Sequence, residues 1–248
     1  MGKNDDIDGL KPNGQKVVLN GSGIGGNING ITLLDTDPTG SQVRNLVIQN
    51  FPRNGILAAH LNGAIFEGLD IHGNGGNGLV ITYPLVDNAN SRNVTVGGDQ
   101  PQHRNLIYGN ALNGIEINAL LNSDHNGSQN IVIKNNYIGT SDGTTDNGNN
   151  GNGIELNQAF GVTIGDTTGA TRNVISGNNN DGIQIKGLGA TGNTIIGNFI
   201  GTDSSSGARL GNGASGISLV EGAGGNSVTG GIPVNRNGMP NFGNGIRA

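Results

Sequence analysis

The sequence has no cysteine and no tryptophan, and aromatic residues make up only 3 % of it. Disulfides and thiolate metal sites are therefore excluded. A layered globular domain of this length normally buries many large side chains, and few are present to bury. Charge is also scarce: 12 % of residues are charged, the net charge is −5, and Lys and Arg form no run. Nucleic acid is not an expected partner of such a surface. No apolar stretch approaches the roughly 20 residues needed to cross a bilayer as a helix. The start, Met1-Gly2-Lys3-Asn4-Asp5-Asp6, lacks the apolar centre of a signal peptide.

The abundant residues are glycine and asparagine, 48 and 40 of 248. Such a composition is common in disordered low-complexity chains. Here Ile, Val and Leu recur in alternation between the glycines, which buries a face and argues for order. The clearest recurrence is Asn152-Gly153-Ile154-Glu155-Leu156-Asn157. Asn113 to Asn118 reads the same with Ile117 for Leu, and related runs begin at Asn54, Asn77, Asp181, Ser215 and Asn244. A second unit sets two asparagines five apart around an apolar centre, as in Asn105 to Asn110, Asn173 to Asn178 and Asn193 to Asn198.

Units of this length mean a solenoid, a propeller or an array. Strands of about four residues with Gly/Asn corners suit a parallel β-helix better than a four-stranded propeller blade. The expected fold is all-β: a single-stranded right-handed parallel β-helix of about seven to eight coils, over residues 16–248, after a lead-in segment over 1–15. The chain is expected to be a piece of a longer array or uncapped at its C-terminal end, because it stops just into another such run. Ile154, Ile183 and Ile217 should stack inside, and so should Leu156, Ile185 and Leu219. Asn105, Asn173 and Asn193 should form corner ladders, their amides satisfying backbone groups and each other.

The runs Asn173 to Asn178, Asn193 to Asp203 and Leu210 to Leu219 resemble the right-handed parallel β-helix repeats of bacterial secreted and cell-surface proteins, within the wider pectate-lyase-like superfamily. That resemblance implies the fold and an extracellular or cell-surface location; the start of the chain then means either that a signal peptide was removed and a start Met added, which is the expectation, or that the protein is made and kept inside. It leaves function open, because the superfamily holds lyases, hydrolases, epimerases, tailspikes and adhesins. The Asp-Pro-His motif of alginate epimerases is absent, as are the Asn-Thr-Asp, Asp-Asp and Gly-His-Gly motifs of polygalacturonases. Asp70-Ile71-His72-Gly73 and Gly98-Asp99 come nearest.

Candidate residues lie on the outward positions of the repeated strands. In register, Glu116 and Glu155 stand one coil apart, about 5 Å between backbones. A retaining glycosidase needs two carboxyl groups at about that separation. Asn118, Asn157, Gln184 and Lys186 would then bind sugar hydroxyls, between walls formed by the loops at 83–92 and 119–129. A lyase needs a base and a cation for the substrate carboxylate, which His103, Arg104 and Tyr108 could supply. The oxygen-rich loops Thr140 to Asn147 and Thr202 to Gly207 suit weak Ca²⁺ binding. No other cofactor or metal is implied. Two functions are open to such a chain: first a non-catalytic surface scaffold or adhesin-like module that binds a polysaccharide or surface glycan, or self-associates end to end; second a polysaccharide hydrolase or lyase.

Overall fold

In the computed structural model, which describes residues 6–34, 40–83, 91–119, 130–168, 171–229 and 246–247, the chain winds into a three-sided parallel β-helix. Each coil gives one short strand to each of three parallel sheets, of eight, seven and eight strands. Sheet I opens with Asp6–Asp8 and Gln42–Arg44 and ends with Ser227–Thr229. Sheet II holds Val17–Asn20, Leu46–Gln49, Asp70–His72, Leu106–Tyr108, Tyr137–Ile138, Val174–Ile175 and Phe199–Ile200. Sheet III holds the N-G-I strands, among them Leu79–Thr82, Ile115–Asn118, Ile154–Asn157, Ile183–Lys186 and Ile217–Val220. The first strand, Asp6–Asp8, falls inside the lead-in segment and pairs with Gln42–Arg44. Crossovers between parallel strands of one sheet are almost always right-handed, and the helix has that hand.

The inward rows are those the alternation predicts. Ile154, Ile183 and Ile217 are in register, as are Leu156, Ile185 and Leu219. Facing them from sheet II are Ile71, Ile107, Ile138, Ile175 and Ile200, all fully buried in one continuous cluster. At Gly55, Gly78, Gly114, Gly153 and Gly182 the glycine of the run is required by this packing. A Cβ on Gly153 would sit 2.6 Å from the Gly182 carbonyl and 2.7 Å from Ile175 Cγ2. Glycine and isoleucine thus form complementary rows, and that contact is the physical content of the repeat.

Corners carry the asparagines. Between sheets II and III, Asn74, Asn110, Asn149, Asn178 and Asn212 form a buried ladder in which each Nδ2 donates to the next Oδ1 at 2.9–3.0 Å. Asn149 shows the pattern. Its Nδ2 donates to Asn178 Oδ1 at 2.9 Å and to the Ile107 carbonyl at 3.1 Å. Its Oδ1 accepts from the Asn110 backbone N–H at 3.1 Å and from Asn110 Nδ2 at 2.9 Å. Both hydrogens and both lone pairs are used. Between sheets I and II a second ladder runs Asn105, Asn136, Asn173, Asn198.

Asn193 stacks at a corner too, but at a different one. It pairs with Asn226 at the third corner, between sheets III and I, not with Asn105 and Asn173. The five-spaced asparagine unit occurs on two faces, since Leu106–Tyr108 lies in sheet II and Thr194–Ile196 in sheet I. Both faces obey the same grammar of corner amide, short strand and tight turn, so spacing alone does not separate them.

Replacing Asn149 with Ala strands several buried polar groups, at about 1–3 kcal/mol each. Thermal denaturation of Asn149→Ala is expected to lose on the order of 10 °C. Asn149→Asp should lose more at neutral pH, because a carboxylate would face two acceptors; it should recover on acidification as protonation restores a donor. Unchanged melting in both variants would remove the ladder from its central place.

Candidate active site

Sheet III presents the expected outward row. Glu116 pairs in register with Glu155, Glu155 with Gln184, and Asn157 with Lys186. The carboxylates are not free, however. Asn77 Nδ2 donates to Glu116 Oε2 at 2.7 Å, and Asn152 Nδ2 to Glu155 Oε2 at 3.0 Å. Asn113 Nδ2 lies between them, 3.5 Å from Glu116 Oε2 and 3.2 Å from Glu155 Oε2. Asn118 also donates to Glu116, Asn157 Nδ2 donates to Asn118 Oδ1 at 3.1 Å, and Lys186 pairs with Glu221 at 3.6 Å. Of the flanking outward positions, Val80 and Ser218 are buried, Ser218 donating to Asp181 Oδ2 at 2.6 Å. An open depression of about 480 Å³ does adjoin this face, lined by Asn113, Asn152, Glu155, Asp181 and Gln184. It lies at the leading ends of the strands, away from Asn118, Asn157 and Lys186. Residues 84–90 and 120–129, most of the two loops expected to wall a groove, lie outside the described residues.

The expected trio of His103, Arg104 and Tyr108 is not assembled. His103 faces Glu67 at 3.5 Å, and Arg104 lies over the Tyr137 ring, 4.1 Å from its centroid. They diverge because the 3-10 turn Pro101–His103 ends at the corner, where the chain bends from sheet I into sheet II. Gly98-Asp99 is equally remote from a site, Asp99 pairing with Lys134 at 2.6 Å. In the two oxygen-rich loops the acidic oxygens are taken up locally. Asp142 accepts from the backbones and hydroxyls of Thr144 and Thr145, which holds its carboxyl well below the usual range. Asp203 accepts from Ser205 and Gly207. Among the described residues, no three His, Cys, Asp or Glu side chains converge as a metal site.

The groups that the fold does bring together lie on the outer face of sheet II. Strand alternation points Asp70 and His72 outward around buried Ile71, and register sets His72 beside Tyr108 of the next coil. The two rings stack with centroids 4.8 Å apart and planes within 9°. The Tyr108 hydroxyl bonds the Asp70 carboxyl, and burial together with that carboxylate pushes the phenol up to about 12. Burial also raises Asp70, against the opposing pull of His72, Lys16 and the Tyr108 hydrogen bond. Asp70 Oδ1 is buried without a hydrogen-bond partner, and His72 Nε2 stands 3.9 Å from it. Lys16, itself half-buried, is lowered by desolvation and held up in part by Asp70. A carboxylate, an imidazole, a phenol and an amine thus share one desolvated patch on rigid strands, an arrangement typical of acid–base sites.

No family model matches the chain, and no curated protein sequence matches it. Among solved structures it is similar to the A-module of the Azotobacter vinelandii mannuronan C-5 epimerase AlgE6, at 20 % identity and a TM-score of 0.64, over 99 % of this chain and 58 % of that one. It is also similar to the AlgE4 A-module from the same organism, at 18 % identity and a TM-score of 0.62, over 89 % of this chain and 54 % of that one. The chain is a right-handed parallel β-helix. It spans a little over half the length of either neighbour, and at these identities the likeness concerns fold. Among the described residues, no helix is long and apolar enough to cross a membrane.

In the sequence, Asp70-Ile71-His72 stands out only as a failed motif match, and Lys16 does not stand out at all. A signal is present in the alignment of the units: Leu69 to Gly73 falls under Asn105 to Gly109, which sets His72 against Tyr108.

A raised carboxyl has a linked cost to folding. The folded protein binds the Asp70 proton more tightly than the unfolded chain, so stability falls as pH rises from the ordinary carboxylate value of 3.8 through the raised one. Asp70→Asn removes that dependence. At pH 7 the variant should melt no lower than the parent, and its advantage should vanish as pH falls toward 4. Lower stability of the variant at pH 7 would show that ionised Asp70 supports the fold.

Proposed function

We propose that the chain is a carbohydrate-active enzyme that abstracts the ring proton next to the carboxylate of an acidic polysaccharide, working outside the cell or in its envelope. This is the second of the two functions open to the sequence, relocated from the sheet III carboxylates to sheet II. The observation that carries it is the Asp70–His72–Tyr108 cluster with Lys16 beside it. Its relation to two mannuronan epimerase modules in fold is consistent with a polyuronate substrate.

His72 serves as base, since imidazole is the side chain most often used to take a proton from carbon and here it stands on a rigid strand beside the Tyr108 ring. Tyr108, pushed up to about 12, keeps its proton at neutral pH and serves as acid. Asp70 accepts the Tyr108 hydrogen bond and orients the phenol. Lys16 offsets the charge that grows on the substrate carboxylate as the proton leaves. His72 and Tyr108 stand side by side on one sheet face, so both reach the same side of a sugar ring. That geometry favours elimination: His72 takes the proton, the electron pair forms a carbon–carbon double bond, the neighbouring glycosidic carbon–oxygen bond breaks, and the departing oxygen takes the Tyr108 proton. Epimerisation shares the first step but returns a proton to the opposite side.

The test is incubation with polymannuronate, polyguluronate and polygalacturonate, following the absorbance of unsaturated ends and, in D₂O, deuterium at the carbon that loses its proton. His72→Ala and Tyr108→Phe should each lower turnover by on the order of a hundredfold or more. The Glu116→Gln/Glu155→Gln double variant should turn over like the parent. Neither double bonds nor exchange on any of the polymers would reject an enzyme of this class and leave a recognition module. Activity lost in the double glutamine variant but kept in Tyr108→Phe would move the reaction to sheet III.

A further inference from the structure

The outer face of sheet II continues past the cluster in an ordered way. Asp70, Leu106, Tyr137, Val174 and Phe199 are successive partners in register, one row along the helix axis in which Val174 is buried and the other four are half-buried. Each aromatic in that row is covered by an arginine from the coil before it. Arg104 lies 4.1 Å from the Tyr137 centroid, and Arg172 lies 4.9 Å from the Phe199 centroid. The two arginines occupy the same place, two residues ahead of Leu106 and Val174, which are in register through Tyr137. The device therefore repeats every second coil, a spacing of about 10 Å.

Each guanidinium is fixed by more than its ring. Arg104 donates to Asn135 Oδ1 at 2.9 Å and keeps a buried Nε without a hydrogen-bond partner; Arg172 donates to the Gly197 carbonyl at 3.1 Å. A guanidinium held over an aromatic ring and tied by a second hydrogen bond has its position set in advance, and its N–H groups suit a carboxylate or sulfate. The seven strands of this sheet contain a single acidic residue, Asp70, in a chain of net charge −5. Cations and rings are thus gathered on one face, where Asp70 is the one carboxylate on the strands themselves and the loop that carries Asp142 packs against the Tyr137 ring through Gly143.

We infer that this row is a binding track for a polyanionic glycan, which lies along the helix axis from Asp70 toward Phe199 and places an anionic group at Arg104 and at Arg172. The inference rests on the proposed function for the track's starting point and extends it to the direction, charge and length of the bound chain. The track spans four strand spacings, about 20 Å. A ligand that reaches Arg172 from the cluster must be an oligosaccharide, and an extended chain presents anionic groups at intervals of about two coils.

Binding is measured by calorimetry in the Tyr108→Phe background, so that polymer is not consumed. The probes are polygalacturonate, graded oligogalacturonates and neutral dextran. Arg104→Ala and Arg172→Ala should each weaken polygalacturonate binding by about tenfold and flatten its salt dependence. Arg104→Lys should restore only part of the loss, because the planar fork is absent. Arg172→Ala should leave short oligomers unaffected and weaken those long enough to cover the track. Tyr137→Ala and Phe199→Ala, which keep both charges, should weaken binding as well. Equal affinity of the Arg104→Ala/Arg172→Ala variant and its parent would overturn the track, as would absent binding of any polyanion or equal binding of dextran. Arginine-dependent binding by a chain that never forms double bonds would uphold the track and reject the reaction; turnover with arginine-independent affinity would do the reverse.

Discussion

The structure depends on the amide ladder. A β-helix of short strands turns a corner about every ten residues, and each corner leaves backbone donors and acceptors that no strand can pair. Asparagine answers this with two donors and two acceptors on a short planar group. Asn149 uses all four, two along the ladder and two on backbone of adjoining coils. Because each amide serves its neighbours, coils hold one another in register, as expected for a repeat architecture stabilised by nearest-neighbour interfaces. Aromatic side chains become dispensable, since a narrow core lined by isoleucine rows needs little volume.

Register in turn decides what the outer faces can do. Once coils are locked, an outward residue stands about 5 Å from its counterpart above. Sheet III and sheet II both use this to place polar groups side by side, with opposite results. On sheet III the turn amides of Asn77, Asn113 and Asn152 reach out to Glu116 and Glu155, and the carboxylates complete the hydrogen bonding of the turns. On sheet II the amides turn inward, and Asp70 is left with an unsatisfied buried oxygen beside a stacked His72–Tyr108 pair. An oxygen held without a partner at some expense of stability is a feature of sites kept for chemistry.

Much of the fold is legible in the sequence because its determinants are local and periodic. The N-G-I runs reveal both the coil length and the pairing of Glu116 with Glu155, since glycine is the one residue that fits beneath the sheet II isoleucines. Spacing puts Asn193 at a corner but does not say which one, because the corner grammar is the same on two faces. The candidate site is less legible. Tyr108 stands out, but beside His103 and Arg104, its neighbours in sequence. Its true neighbours come from other coils at separations the sequence does not announce: His72 is 36 positions away, and Lys16 lies further still. Sequence proximity misleads at a corner, where successive residues leave on different faces.

The central claim is that sheet II, not sheet III, is the working face. The most direct test is a titration of isotope-labelled protein with an oligouronate, monitored residue by residue by NMR. The account predicts shifts concentrated at Asp70, His72, Tyr108 and Tyr137, with little change along the N-G-I strands. Shifts centred on Glu155, Asp181 and Gln184, with sheet II silent, would contradict it.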